Sequence, residues 1–361
     1  MSIVEQTRDT IRHRGLARPD APVLLMVSGG SDSVALAYIA SELHEVGELG
    51  PLAILHVNHK LRGADADGDA AFVEKLSELL GIEHVTVDID IAAMAESEHG
   101  NVEAIARRER YAAARDALSD MCLKLGVPVS TGRIFVAHTA DDRIENFYMR
   151  SIVGTGPGGF RSMLYLNGQV ARPLLDLGRQ ELRDYVIGRI ERELAVARDE
   201  DEMLWREDAT NQHTDRFRAF VRHEIVPLAK ERNPQLVSTL TRTMNLIGDE
   251  DDMLDALADD LIARNVMRLE PVEEGCVLSP MLAAERLPML RRVIVKVLES
   301  MLDPDDRVET PSVDAVLAAF ECGKPKSGYV ANIQGNLAVS SNKQGVRIEP
   351  MAAFRTRRKK E

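Results

Sequence analysis

Residues 22–33 read PVLLMVSGGSDS, and this stretch decides the architecture. Pro22 to Val27 form a short apolar run of the kind buried as a strand of a parallel sheet. Ser28-Gly29-Gly30 ends the run. Two glycines here let the backbone turn tightly and approach a ligand closely. Helical spacing then takes over. Ala35, Ile39, Leu43 and Val46 fall on one face, with Ser31 or Asp32 placed to cap the helix. Backbone N–H groups in such a turn, with the positive end of the helix behind them, make a nest for an anion, and the hydroxyls of Ser28 and Ser33 add donors. The chain contains no GxxxxGK[ST], so this is not a phosphate loop of the Walker type.

Working outward, strand-like and helix-like segments alternate. LAILHVN (52–58) reads as the next strand. A helix follows, with Ala70, Val73, Leu76 and Leu80 spaced for burial and Gly81 at its C-terminal cap. HVTVDID (84–90) alternates like a strand, 101–118 is a charged helix, 119–133 a long loop, RIFVAH (133–138) a strand and 140–153 a helix. Gly154 to Gly159 form a loop, and ARPLLDL (171–177) reads as a last strand. This order implies an α/β class fold, a Rossmann-like parallel sheet covered on both faces. Ligands of such sheets sit outside the carboxyl ends of the strands. SGGSDS, HKLRG and HTADD each follow a strand, so polar chemistry collects at one edge. From 179 to 265 the pattern is helical, interrupted at 205–217. After 270 a smaller α+β segment follows, with helices at 288–302 and 311–321 and strands around YVANI, LAVSS and GVRIEP. The expected division is an α/β domain over 1–215, a helical segment over 216–270, and a small α+β domain over 271–361 with a basic tail.

The composition fits this plan. The chain has 361 residues, 45% of them apolar, enough for more than one core. No apolar run approaches the ~20 residues of a membrane span, and the N-terminus lacks the apolar core of a signal peptide. Cys122, Cys276 and Cys322 are far apart, with no CxxC, which argues against zinc and against a disulfide framework. A reducing, cytoplasmic setting is the simplest reading. The net charge of −13 argues against indiscriminate nucleic-acid binding, since phosphate contacts need Lys and Arg. It still allows a local basic surface. Basic residues cluster at 216–224 and 355–360, acidic ones at 249–260. The plain reading of each cluster is a solvated face, and of the tail, disorder.

SGG-x-D-S resembles the signature of the PP-loop ATP pyrophosphatases. Further stretches narrow the resemblance to the tRNA(Ile)-lysidine synthetase family. HVNHKLR (56–62) resembles that family's H-V-N-H-x-L-R, EAIARRERY (103–111) its E-x-x-A-R-x-x-R-Y, and HTADDRIEN (138–146) its H-x-x-D-D-x-x-E-T. RPLLDLGR (172–179) resembles R-P-L-L-x-x-x-R, and EDATN (207–211), with RFRAFVRHEIVP after it, resembles E-D-x-[ST]-N followed by R-N-x-x-R and a proline. The stretches keep the family's order over about residues 20–230; the C-terminal part is only weakly similar. The chain departs from the pattern at Asn146, where the family has Thr, at Val153 before Gly154, where it has Arg, and at Ala219, where it has Asn.

The resemblance implies an adenine nucleotide alpha hydrolase-like PP-loop fold and an ATP-dependent ligation. The wobble cytidine of a tRNA(Ile) with a CAU anticodon is adenylated at its C2 oxygen, and free L-lysine then displaces AMP to give lysidine. ATP, L-lysine and that tRNA are the implied partners, with Mg²⁺ on the phosphates and no membrane; a homodimer is compatible with it. Ser28, Gly29, Gly30, Ser31, Asp32 and Ser33, with His56, would bind the nucleotide, and Asp32 would hold Mg²⁺. Asp142 and Glu145 lie three apart on a helix, hence on one face; they would bind the lysine ammonium and help take its proton. Arg107 or Arg110 would neutralise developing charge, with His59 and His138 among the nucleotide contacts. Arg172, Arg218 and Arg222 are candidates for tRNA phosphates. Asp32 as a helix cap, the other acids as solvated charge and Asp208 and Asn211 as loop-stabilising groups are the plainer alternatives. Another PP-loop tRNA-modifying enzyme, or a catalytically dead RNA-binding paralogue, is the alternative for the whole chain. A thiolase would need paired reactive cysteines.

Overall fold

The chain opens with a helix that its mixed charge conceals. α1 (Ile3–His13) starts from a capping box, Ser2 Oγ accepting from the Glu5 N–H while the Glu5 carboxylate accepts from the Ser2 N–H, and it buries Ile11. The quoted stretch follows as β1 (Val23–Met26), the glycine turn and α2 (Ser31–Glu45). Gly30 is the N-cap, rather than Ser31 or Asp32. Both of those residues are already helical, and the Ser31 hydroxyl donates to Asp32 Oδ1 at 3.1 Å. Next come β2 (Leu52–Asn58), α3 (Ala64–Leu80) with Gly81 left-handed at its end, β3 (Glu83–Asp88) and α4 (Ile91–Glu98). α5 (Val102–Leu125) takes in residues 119–125 of the expected loop at 119–133, because Met121 and Cys122 continue the buried face of Leu118 until Gly126 caps the helix. β4 (Arg133–Phe135) and α6 (Ala140–Val153) complete the alternation.

The computed structural model describes residues 1–60, 63–206, 217–270, 275–303, 306–321 and 323–359. They fall into two compact units, Met1–Gly248 and Asp249–Glu361. In the first, the sheet order is β3-β2-β1-β4, followed by a short hairpin of β5 (Leu166–Asn167) and β6 (Val170–Ala171); all pairings are parallel except β5 with β6. The last strand is shorter than expected. Past Ala171 the chain turns, Pro173 having no N–H to pair, and Leu174, Leu175 and Leu177 are buried without joining the sheet. One face of the sheet packs Val23, Leu25 and Ile54 with α2, and the other packs Leu24, Leu55 and Ile134 against α5. Neighbours of β1 lie on opposite sides, β2 towards one edge and β4 towards the other. The crevice between β1 and β4 is therefore the switch point at which open α/β sheets bind ligands, and α2 and α6 both begin there.

α7 (Arg179–Glu191) follows. Beyond the strap 192–206, α8 (Phe217–Phe220) runs through a π-helical turn, Val221–Ile225, into α9 (Val226–Arg232). Pro227 cannot donate to a carbonyl one turn back, and the Val226 N–H reaches five residues back to the Val221 carbonyl. The boundary between the units falls within α10 (Leu236–Asn265).

The second unit holds β7 (Val266–Arg268), β8 (Cys276–Leu278), α11 (Leu287–Glu299), α12 (Thr310–Ala318), a hairpin of β9 (Phe320–Glu321) and β10 (Lys324–Pro325), then β11 (Val330–Ile333), β12 (Leu337–Asn342), β13 (Gly345–Pro350) and α13 (Met351–Arg358). Its antiparallel sheet runs β11-β12-β13-β8-β7 and packs Val339 and Ile348 against Val293, Ile294 and Val297. The tail expected to be disordered is helical over 351–358. Glu349, fully buried, accepts from Arg347 and from Arg357 of that helix, which ties α13 to the sheet. Among the described residues no helix is long and apolar enough to cross a membrane.

Candidate active site

The turn after β1 is held from within. Ser33 Oγ accepts from the Ser28 N–H at 3.2 Å and donates to the Gly30 carbonyl at 2.9 Å, with Ser28 Oγ 3.3 Å away. Gly29 stands at φ +91°, where a side chain would be strained. N–H groups in the first turn of α2 have no acceptor within their helix, so the loop presents donors to an anion.

α6 begins beside it. Thr139 caps this helix, and Asp142 closes a capping box, its Oδ2 accepting from the Thr139 N–H at 2.8 Å and from Thr139 Oγ1 at 3.0 Å. The expected spacing holds: Asp142 and Glu145 share one face, and both are buried. Three arginines close over them. Arg218 donates to Asp142 Oδ1 and to Glu145 Oε2, each at 2.8 Å; Arg222 donates to Glu145 Oε1 at 2.6 Å. Arg179, the first residue of α7, donates to Asp142 Oδ1 at 3.3 Å and lies 3.9 Å from Glu145. It also donates to Asp32 Oδ2 at 3.0 Å. One guanidinium thus joins the glycine loop to the carboxylate pair.

Burial raises the pKa of Asp32, and neighbouring Asp142 adds to the rise; Arg179 works against both without cancelling them. Burial also pushes Asp142 upwards, but there Arg179, Arg218 and the Thr139 N–H prevail, and the carboxyl lies below its ordinary value. The arginines favour the ionised form of Asp142 against the opposing effect of desolvation.

Of the expected site residues, Ser28 to Ser33, Asp32, Asp142, Glu145, Arg218 and Arg222 meet in this crevice. Arg218 and Arg222 are engaged with carboxylates of the chain itself. His138, between β4 and the Thr139 cap of α6, has a pKa lowered to about 4: burial dominates, opposed by Asp142 and reinforced by Arg172, Arg218 and Arg107. It is a neutral imidazole at neutral pH, and its Nδ1 is buried without a hydrogen-bond partner. Arg107 lies over the Tyr111 ring, 5.1 Å from its centre. Arg172 is buried and donates to the Leu164 carbonyl at 2.8 Å, with Tyr111 as a further partner. Arg110 is exposed. His56 is buried, and its Nδ1 donates to the Val27 carbonyl at 2.9 Å; His59 is partly buried. Of the departures, Asn146 donates to the Ser162 carbonyl at 3.1 Å and Val153 is exposed. Arg62, Asp208, Asn211 and Arg216 lie outside the described residues.

Sequence reasoning missed Arg179, although it closes the RPLLDLGR stretch, and that terminal arginine was the available signal. It also missed Arg206. The Arg206 N–H donates to the Gly29 carbonyl at 2.9 Å, and its guanidinium is held by Asp69 at 3.1 Å and Asp199 at 2.9 Å. A Cβ on Gly29 would stand 3.4 Å from the Arg206 Cγ, an ordinary packing distance, so the positive φ rather than the strap is what favours glycine here. Cys122 and Cys276 are both buried, and burial raises both thiol pKa values, that of Cys276 to about 11. Neither has the low-pKa environment of a reactive thiolate. No cluster of three His, Cys, Asp or Glu residues fit to hold a metal occurs among the described residues.

Curated tRNA(Ile)-lysidine synthases resemble the chain over most of its length. One from Geobacter sulfurreducens is 32% identical over 317 residues, 87% of this chain and 62% of that protein. One from Dehalococcoides mccartyi is 29% identical, covering 88% and 65%, and one from Thermus thermophilus is 33% identical, covering 80% and 51%. The chain therefore spans about half to two thirds of the length of these relatives. Residues 3–229 match the family model described as the PP-loop domain. That match takes in the glycine turn, the carboxylate helix and the arginines that join them, and the chain belongs to the PP-loop family.

Proposed function

We propose that the chain uses ATP to join free L-lysine to C2 of the wobble cytidine of tRNA(Ile) with a CAU anticodon, through a cytidine adenylated at its C2 oxygen, in the cytoplasm. The observation that carries this reading is the Arg179 bridge, which sets an anion-binding loop and a buried carboxylate pair side by side in one crevice. Similarity to the lysidine synthases supplies the substrates.

The residues divide the work. Ser28 to Ser33 cradle the β- and γ-phosphates. The cytidine C2 oxygen attacks the α-phosphorus and pyrophosphate leaves, held by the loop. Neutral His138 borders the base, and Arg107 balances the charge that develops there. The lysine ε-amine then attacks C2 and AMP departs. Asp142 and Glu145 hold the ammonium before attack and take the proton it loses. Asp32 suits Mg²⁺ carried in by the phosphates, since such an ion needs only one or two protein carboxylates; it would neutralise phosphate charge. Helix α8 and the π-helical turn after it would bring Arg218 and Arg222 towards the RNA. Incubation with ATP, labelled lysine and a CAU transcript tests the reading: label enters the RNA, and a transcript with another wobble base stays unlabelled. Label-free RNA under all conditions would refute it.

A further inference from the structure

The charges of the crevice balance: Asp32, Asp142 and Glu145 face Arg179, Arg218 and Arg222. A balanced cluster resists a further cation. An ammonium can bind Asp142 and Glu145 only if a guanidinium yields, and a guanidinium yields at little cost only if an anion receives it. Arg179 is placed for that exchange. Its backbone N–H is fixed by Asp141 Oδ2 at 2.7 Å, so the side chain pivots about an anchored point. The shorter of its contacts, 3.0 Å, is to Asp32 beside the phosphate loop, and the longer ones, 3.3 and 3.9 Å, are to the carboxylate pair.

We infer that Arg179 is a positioning residue that makes amine binding at Asp142 and Glu145 depend on occupancy of the phosphate loop. This rests on the lysine-ligating reading above. With the loop empty, the guanidinium fills the place of the amine. Phosphates at the loop draw it away, and the ammonium takes its place beside Asp142 Oδ1 and Glu145 Oε1, which Arg218 and Arg222 continue to hold. The two sites are then thermodynamically linked, and lysine tightens nucleotide binding by the same factor. A lysine at 179 keeps the charge but lacks the planar fork that spans two carboxylates.

Calorimetric titration of L-lysine into the full chain, with and without Mg²⁺ and a non-hydrolysable ATP analogue, and repeated with a CAU anticodon stem-loop present, measures the linkage. The nucleotide should tighten lysine binding by about tenfold in the native chain. In Arg179→Lys and Arg179→Gln the ratio should fall to within about twofold of unity while the analogue still binds. An unchanged ratio in both variants, or lysine affinity in the native chain that ignores the nucleotide, would overturn the coupling and leave the ligase reading standing. Failure of lysine to bind in any state would overturn both.

Discussion

The guanidinium of Arg179 donates from Nε to Asp32 Oδ2 at 3.0 Å, although the two residues are 147 positions apart in the chain. One residue stands at the start of α2 and the other at the start of α7, so two helix N-termini converge where β1 and β4 part. This contact makes one site of a nucleotide loop and a carboxylate pair, and the two halves should separate on mutation.

Asp32→Ala should abolish adenylation, and Asp142→Ala should mainly abolish lysine transfer. Losing a charged contact at a reacting centre costs about 3 kcal/mol, on the order of a hundredfold in rate. Trapping adenylated RNA without lysine separates the steps. An Asp142→Ala protein that makes no adenylate yet binds lysine normally would reverse the assignment.

Arg218 and Arg222 should differ in their effect on stability. Arg222→Ala weakens the hold on Glu145, whose side chain is 2% exposed, and should cost about 1–3 kcal/mol. The side chain of Arg218 is 43% exposed, so Arg218→Ala should cost under about 1 kcal/mol, solvent screening most of its pairing. Urea unfolding of both variants gives the comparison; equal losses would contradict it.

Gly29→Ala should lower nucleotide affinity and stability together. At φ +91° an alanine is strained by about 1–3 kcal/mol, and its methyl meets the Arg206 side chain. Trp205, the only tryptophan in the chain, adjoins Arg206 and provides a fluorescence readout for ATP titration. Unchanged affinity would show that the loop tolerates a different backbone shape.

His138 should stay neutral from pH 8 to pH 5. Its folded pKa of about 4 lies below the ordinary 6.5, because burial disfavours the charged ring. The unfolded chain therefore takes up the proton first. The contribution to stability is complete above about pH 6.5 and is lost as the pH falls towards 4, by at most about 3 kcal/mol. The difference in unfolding free energy between the native chain and His138→Gln should narrow across that window. A ring whose NMR signals titrate near pH 6.5 would contradict this.

What the sequence made legible was local. The glycine turn, the buried spacing of α3 up to its cap at Gly81 and the shared face of Asp142 and Glu145 all follow from spacing within one element. The partners of Arg218 and Arg222 were not legible. Their separation by one helical turn puts them on one face without saying whether that face meets phosphate or carboxylate. Arg172 looked available in the sequence, but the turn at 172–177 buries it against the Leu164 carbonyl. The tail looked disordered because its charge is uniform, while the residue that orders it, Glu349, lies in the preceding strand. In each case the deciding contact is with another element.

Nucleoside analysis of the product RNA tests the central claim most directly. After incubation with ATP, L-lysine and a tRNA(Ile) transcript bearing CAU, the RNA is digested and its nucleosides are weighed by mass spectrometry. The account predicts that the wobble cytidine is replaced by a nucleoside heavier by one lysine less one water, with one AMP and one pyrophosphate released for each. An unaltered wobble cytidine in the presence of all substrates, or ADP in place of AMP, would contradict it.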